Sequence, residues 1–339
     1  MREVRSLRVP GRVILAGDIG GTKTRLALFR DEAGVLEPVA DATFASRAYP
    51  TFDALLTEFV VTQTARVTAA CLGVAGPVRA GHVRTTNLPW VLDAVALGRQ
   101  LGLPRVWVVN DLEAAGWGVG VLPPEAFCVL NTGTPDPQGN GAVIAAGTGL
   151  GEAGLHWNGH RHEPFASEGG HVSFAPRDER EIALLRWLAG RFAHVSWERV
   201  VSGPGLVNVY EFLRDTRAGE EPVGLADELR AGDPAAAITR AAARGVPLCV
   251  AALDLFVVLY GAAAGNLALT TMATAGVYVG GGMAPRILER LRAGGFMRGF
   301  TAKGRMQPLL EAMPVRVVLD DRAALLGAAR CAQVRGAVA

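Results

Sequence analysis

Lysine is almost missing from this chain: among 339 residues only Lys23 and Lys303 carry an ammonium group, and arginine supplies the rest of the positive charge. The formal net charge is only +2, with acids and bases interspersed. No basic patch therefore points to nucleic acid or to a membrane surface as a partner. Cysteine is scarce as well. Cys71, Cys128, Cys249 and Cys331 lie far apart and form no C-x-x-C pair, which argues against zinc and for a reduced, cytoplasmic protein. Met1 to Gly11 carries charges but no apolar h-region, so no secretory signal is expected. One long apolar run exists, Val246 to Gly265, but Asp254 interrupts it and Asn266 follows it. A buried helix of a soluble protein accounts for that run better than a membrane span. Half of the residues are hydrophobic and 19% are charged. That balance excludes wholesale disorder and suits a large core, in a chain long enough for two domains.

Glycine, by contrast, is abundant and concentrated at chain reversals. The stretch Arg12 to Phe29 is an apolar run that reaches Asp18, breaks at Gly20-Gly21 and resumes at Leu26. It reads as a strand, a tight turn and a second strand, with a carboxylate at the mouth. Paired glycines can take positive φ and remove the Cβ atoms that would keep a ligand off the backbone. Successive N–H groups in such a turn form an anion-binding concavity, to which Thr22, Lys23 and Thr24 add donors. A phosphate fits it, with Mg²⁺ between the phosphate and Asp18. An ordinary Gly-Gly hairpin fits the same segment.

Further on, Thr51 to Thr64 reads as a helix and Ala69 to Ala75 as a buried strand, followed by the irregular Asn87 loop (Thr85 to Trp90). A helix from Leu92 to Leu101 precedes the strand Arg105 to Val109, which ends in Asn110-Asp111 where another helix starts. Alternating strands and helices imply a mainly parallel α/β sheet, whose ligands bind beyond the carboxyl ends of the strands. Asn110 and Asp111 occupy that position. A helix N-cap is the competing use of an Asp there, although capping requires only one of the two.

A second strand–glycine–strand unit, Ala142 to Trp157, places Gly147-Thr148-Gly149 where Gly20-Gly21-Thr22 stood in the first. Two such hairpins suggest two similar domains facing one another across a cleft. Glu168 and His171, separated by two glycines, suit a loop that presents both side chains to a ligand. Glu198 stands just ahead of the helix Leu206 to Arg217, where a carboxylate also favours the macrodipole. The strand from Gly276 runs into Gly280-Gly281-Gly282, with Pro285 opening the next helix. The strand Val315 to Leu319, Asp320-Asp321 and a final helix from Ala323 to Gln333 close the chain.

Together these features make a nucleotide-dependent phosphoryl transferase the economical reading. The segments Gly17-Asp-Ile-Gly-Gly-Thr22, Asn110-Asp-Leu-Glu-Ala114, Gly147-Thr-Gly-Leu-Gly151, Glu168-Gly-Gly-His171, Glu198-Arg-Val-Val-Ser-Gly-Pro-Gly205 and Gly280-Gly-Gly282 occur in one order. In that order they resemble bacterial glucokinases of the hexokinase–actin-like superfamily, nearly end to end. The resemblance implies an α/β fold of two actin-like (ribonuclease H-like) domains, each a mixed sheet flanked by helices, around a central cleft. The expected boundaries are 1–120 with 320–339, and 121–319, the final helix returning to the first domain. It implies ATP-dependent phosphorylation of the 6-hydroxyl of glucose, with Asp111 taking the proton. Asn87, Asn110, Glu168, His171 and Glu198 would hold the other hydroxyls. Gly17, Asp18, Ile19, Gly20, Gly21, Thr22, Thr148 and Gly149 would meet the phosphates, and Gly281 and Gly282 the adenosine. ATP and Mg²⁺ are the implied cofactors, the Mg²⁺ brought by ATP without direct protein ligands, and a homodimer is the implied assembly.

Two departures stand out. Lys23 replaces the Asn of many such glucokinases. The related repressor–open reading frame–kinase family shares Gly-Gly-Thr-Lys but carries a cysteine zinc motif near its Gly-His, and no cysteine lies near His171 here. The rivals are a kinase for mannose, fructose or an N-acetylhexosamine, a sugar-sensing regulator without turnover, and an actin-like filament protein. A regulator would need a basic helix-turn-helix extension, and only about a dozen residues precede the first strand. A filament would have no use for the Glu168–His171 loop.

Overall fold

Alternation of apolar side chains along each strand dictates how the first half of the chain packs. The computed structural model describes residues 11–63, 65–85, 87–216, 221 and 223–337. Met1 to Pro10, Thr64, Thr86 and Arg217, which entered the expectations for the N-terminus, a helix end, the Asn87 loop and a second helix end, lie outside them. The chain divides into two compact units, one running to Leu122 and resuming at Arg322, the other Pro123–Asp321.

In the first unit β1 (Arg12–Ile19), β2 (Lys23–Glu32), β3 (Val35–Ala45), β4 (Ala69–Val74) and β7 (Trp107–Asn110) form a sheet in the order β3-β2-β1-β4-β7. A small ribbon, β5 (His82–Arg84) with β6 (Val91–Asp93), stands apart from it. β1 pairs antiparallel with β2 and parallel with β4, and β4 pairs parallel with β7. Successive strand residues point to opposite faces. Leu15 and Ile19 thus pack with Phe52, Leu55, Leu56 and Phe59 of α1 (Phe52–Val61) and Leu97 of α2 (Ala94–Leu101). Ile14 and Ala16 pack instead with Ala114 and Trp117 of α3 (Asp111–Val119) and with Leu325, Ala328 and Ala332 of the C-terminal helix Ala323–Gly336. Local chemistry starts the first two helices: Thr51 caps α1 through Ala54 N–H, and Asp93 caps α2 through Val95 and Ala96 N–H.

The second unit carries β8 (Phe127–Asn131), β9 (Gly141–Ala146), β10 (Leu150–Trp157), β11 (His162–Ser167), β12 (Gly276–Gly280) and β13 (Val315–Val318) in the order β11-β10-β9-β12-β13-β8. Its first five strands repeat the first sheet: an antiparallel hairpin with a third antiparallel strand on one side of the leading strand, and two parallel strands on the other. The two glycine turns occupy equivalent places in these sheets, Gly20–Thr22 between β1 and β2 and Gly147–Gly149 between β9 and β10. The apolar run is helix α8 (Pro247–Thr271), preceded by α4 (Glu179–Ala189), α5 (Gly203–Asp215), α6 (Leu225–Ala231) and α7 (Pro234–Ala243). Among the described residues it is the one helix long and apolar enough to cross a membrane, and 78% of its apolar window is buried inside the protein. Phe256 and Tyr260 of α8 lie in the core with Ile144 and Val279 of the sheet. Asp254, the charge that breaks the run, pairs at the surface with Arg290 at 3.2 Å.

Candidate active site

The first glycine turn is held from behind. Ser46, just past β3, donates its backbone N–H to Thr22 O at 3.0 Å and its hydroxyl to Gly20 O at 2.8 Å. The buried Thr24 hydroxyl lies 2.9 Å from Ser46 Oγ. Two turn carbonyls, which would repel an anion, are thus tied down on Ser46. The glycines are needed for close approach and not for left-handed backbone, since neither Gly20 nor Gly21 has positive φ. A methyl group on Gly21 would come within 2.6 Å of Asn87 Cβ, so the loop carrying Asn87 packs directly on the turn. Lys23 is exposed, and its backbone carbonyl accepts Gly20 N–H at 3.1 Å.

At the carboxyl end of β7 the two polar residues divide the labour. Asn110 is the N-cap: its Oδ1 accepts Leu112 N–H at 2.9 Å and its Nδ2 donates to Gly76 O at 3.2 Å. Asp111 is the first residue of α3, with Oδ1 at 3.0 Å from the same Leu112 nitrogen. The cap is therefore served without Asp111, and an acid in the first turn suits the helix dipole. Gly73 lets the start of α3 sit close to β4: a methyl there would meet Ala114 Cβ at 2.8 Å and lie 3.8 Å from Asp111 Cα.

In the second unit, Gly147 O accepts Gly203 N–H at 2.7 Å from the start of α5, and Gly147 N–H donates to Gly149 O at 2.8 Å. Ser202, not Glu198, caps α5, its hydroxyl oxygen accepting Gly205 N–H at 2.9 Å. Glu198 lies on a single turn of 3₁₀ helix, Trp197–Arg199, and its Oε2 accepts Leu150 N–H at 3.0 Å. A methyl on Gly149 would stand 2.5 Å from that oxygen. Methyl groups on Gly147 or Gly282 would meet nothing within 4 Å, which leaves open space beside both stretches of backbone. Gly281 has φ +83°, and any side chain there would overlap the Ala146 carbonyl. The buried Tyr260 hydroxyl ties these strand ends together: it accepts Ala146 N–H at 3.1 Å and lies 3.1 Å from Gly280 O and 3.3 Å from Ile144 O. Burial pushes this phenol well above its ordinary range.

Glu168 precedes and His171 ends a 3₁₀ turn over Gly169–His171, with His171 Nε2 3.8 Å from Glu168 Oε2 and side chains 58% and 60% exposed for His171 and Glu168. The turn sits on the start of β10. Gly170 abuts the Leu150 carbonyl, and Gly169 abuts the carboxylate of Glu152. Glu152 is 7% exposed, and burial raises its carboxyl to about 7. Asn87, Gly17 to Thr22, Asn110 and Asp111 thus belong to the first unit, while Thr148, Gly149, Glu168, His171, Glu198, Gly281 and Gly282 belong to the second. Ser46, Tyr260 and Glu152 were not among the expected site residues. For Glu152 and Tyr260 the signal in the sequence is a polar group inside an otherwise apolar strand or helix, plain once the element is known to be buried; Ser46, in a short turn after an exposed edge strand, carries no such signal.

A family model described as Glucokinase matches residues 15–335. The glucokinase of Nostoc punctiforme is 40% identical over 337 residues, covering 94% of this chain and 98% of that relative. Among solved structures, the glucokinase from an Antarctic psychrotroph superposes with a TM-score of 0.81 at 32% identity, covering 95% of this chain and 99% of that one. A ROK family glucokinase from Streptomyces griseus, solved in complex with glucose and AMPPNP, gives a TM-score of 0.65 at 25% identity over 95% and 99% of the two chains. Both sheets repeat one topology, both bear a glycine turn at the same place, and the match runs nearly end to end: this chain belongs to the glucokinase family.

Proposed function

We propose that the protein transfers the γ-phosphoryl group of ATP to the 6-hydroxyl of D-glucose, yielding glucose 6-phosphate and ADP. The observation that carries the chemistry is Asp111, a carboxylate at the end of a parallel strand whose capping duty is taken by Asn110. In this reading Asp111 accepts the 6-hydroxyl proton as that oxygen forms its bond to the γ-phosphorus and the bond to the bridging oxygen of ADP breaks. Glu168, His171 and Glu198 accept and donate hydrogen bonds to the remaining hydroxyls, with Asn87 and Asn110 as further contacts. Charged acceptors give the stronger bonds, and leaving them unpaired penalises a sugar with a missing or inverted hydroxyl. The backbone of Gly17 to Thr22 and of Thr148-Gly149 serves the phosphates, and Gly281-Gly282 the adenosine.

The glycine backbone leaves room for a nucleotide. Gly147 and Gly282 leave backbone uncovered, and the carbonyls of Gly20 and Thr22 are held on Ser46. Among the described residues no group of three or more His, Cys, Asp or Glu is arranged to hold a metal ion. Mg²⁺ would accompany the nucleotide, where it neutralises phosphate charge, with Asp18 as the nearby carboxylate on β1. A cytoplasmic homodimer completes the proposal.

A hexose panel with ATP in a coupled assay for ADP tests it. Glucose is expected to give the highest kcat/KM; a higher value for mannose, fructose or an N-acetylhexosamine, or no turnover with any hexose, overturns the assignment.

A further inference from the structure

Glu152 has no place in the chemistry above, yet it is one of the few acids inside the second unit. It lies on β10 two residues after Leu150, and its cross-strand neighbours are Ile144 on β9 and Ser167 on β11. Neither neighbour carries a charge. From α8 the ionisable group that senses it is the Tyr260 hydroxyl. From the turn above, Glu168 and His171 face each other at 3.8 Å, and Gly169 faces Glu152. A methyl on Gly169 would overlap Glu152 Oε2 and come within 3.1 Å of Ser167 Oγ, while Gly169 N–H donates to that same oxygen at 3.0 Å. The carboxyl group of Glu152 is therefore the floor on which the Glu168–His171 turn rests.

We propose that Glu152 is a positioning residue for the sugar-binding turn, and that its uncharged form is the one that holds Glu168 and His171 in place. The physical reason is desolvation. An uncharged carboxylic acid can lie against the Cα of Gly169 at little cost, whereas a carboxylate there needs water or donors that the surrounding strands do not supply. Ionisation therefore favours lifting the turn to admit water. With a carboxyl that titrates at about 7, the uncharged fraction falls from about nine-tenths at pH 6 to about one-tenth at pH 8. Apparent glucose affinity, scaled by the competent fraction, would weaken up to about tenfold over that range.

The inference rests on the Glu168–His171 turn being the sugar site, so the test separates the two. Glucose KM and kcat are measured at saturating ATP from pH 6 to pH 8 for the wild type, for Glu152→Gln and for Glu168→Gln. In parallel, amide exchange of the turn Gly169 to Val172 is followed without glucose and corrected for intrinsic pH dependence. The wild type is expected to show a glucose KM that rises with pH at near-constant kcat, and turn amides that lose protection. Glu152→Gln, which keeps the shape without the charge, is expected to show neither trend. Identical pH trends in the wild type and Glu152→Gln overturn the proposal. If turn exchange responds to Glu152→Gln while Glu168→Gln leaves glucose KM unchanged, the positioning role stands and the sugar assignment of the turn falls.

Discussion

Glu198 Oε2 accepts the backbone N–H of Leu150 at 3.0 Å, the first residue after the glycine turn Gly147–Gly149. One carboxylate thereby serves two neighbours: the turn through this bond, and a sugar hydroxyl in the proposed reaction. The two uses separate under mutation. Glu198→Gln keeps an oxygen for Leu150 N–H, so glucose KM is expected to rise with ATP KM within about twofold of the wild type. Glu198→Ala removes the anchor as well, and both KM values are expected to rise. Loss of one hydrogen bond to a charged group is worth about 1.5–3 kcal/mol, or about 10- to 150-fold. Equal ATP KM values for the two variants would show that the Leu150 bond does not matter to the turn.

Asp111 is placed at the first position of α3 while Asn110 does the capping. Asp111→Asn retains an oxygen that can stay near Leu112 N–H, so the fold is expected to survive. Removing a positioned base costs ~10²–10⁴-fold. The expected result is a drop in kcat of that order with glucose KM changed by less than about threefold. Turnover near the wild-type rate with intact glucose binding would remove Asp111 from the reaction.

Much of this arrangement could be read from the sequence, and the reason is local. Glycines interrupt apolar runs within a few residues at Gly20-Gly21 and at Gly147-Thr148-Gly149, so both hairpins are visible without tertiary information. The strand-end pair Asn110-Asp111 is visible in the same way. What escaped reading was either masked by polar residues and proline within an edge strand or set by partners far along the chain. Strand β3 (Val35–Ala45) is a sheet edge whose side chains are mostly exposed, and Pro38, Glu37 and Asp41 mask its periodicity. His162–Ser167 pairs with β10 as an edge strand, although Pro164 within it argues against a strand in the local pattern. Tyr260 finds its partners 114 residues upstream and 20 residues downstream, which no local pattern encodes. The first glycine turn also differs in cause from the expectation: Gly21 yields to Asn87 and not to a left-handed φ.

Glu152 also makes stability depend on pH, apart from any effect on glucose. Its carboxyl is raised by burial from 4.5 to about 7 in the folded protein. Between those values the folded state binds more protons than the unfolded one, so stability falls as pH rises through that window and stays lower above it. Its contribution is thus fully present below about 4.5 and lost above about 7, an effect of up to about 3 kcal/mol. Glu152→Gln removes the ionisation. Thermal unfolding is expected to give a higher Tm for Glu152→Gln than for the wild type at pH 8, with the gap shrinking towards pH 5. A gap that stays constant with pH would mean that Glu152 is already charged and accommodated.

The last prediction concerns the strand ends that Tyr260 joins. Its hydroxyl accepts Ala146 N–H and reaches Gly280 O, so it bridges the strand entering the Gly147–Gly149 turn and the strand entering Gly281-Gly282. Both stretches are assigned to the nucleotide, and neither touches the Glu168–His171 turn through Tyr260. Tyr260→Phe keeps the packing of the ring against Phe256 and Phe296 but leaves Ala146 N–H without that acceptor in the core. An unsatisfied buried donor costs about 1–3 kcal/mol. The variant is therefore expected to unfold at a lower temperature and to show an ATP KM raised several-fold, with glucose KM unchanged. A loss of stability with both KM values unchanged would restrict the hydroxyl to holding the core together, whereas a matching rise in glucose KM would mean that the two substrate sites of this unit move as one.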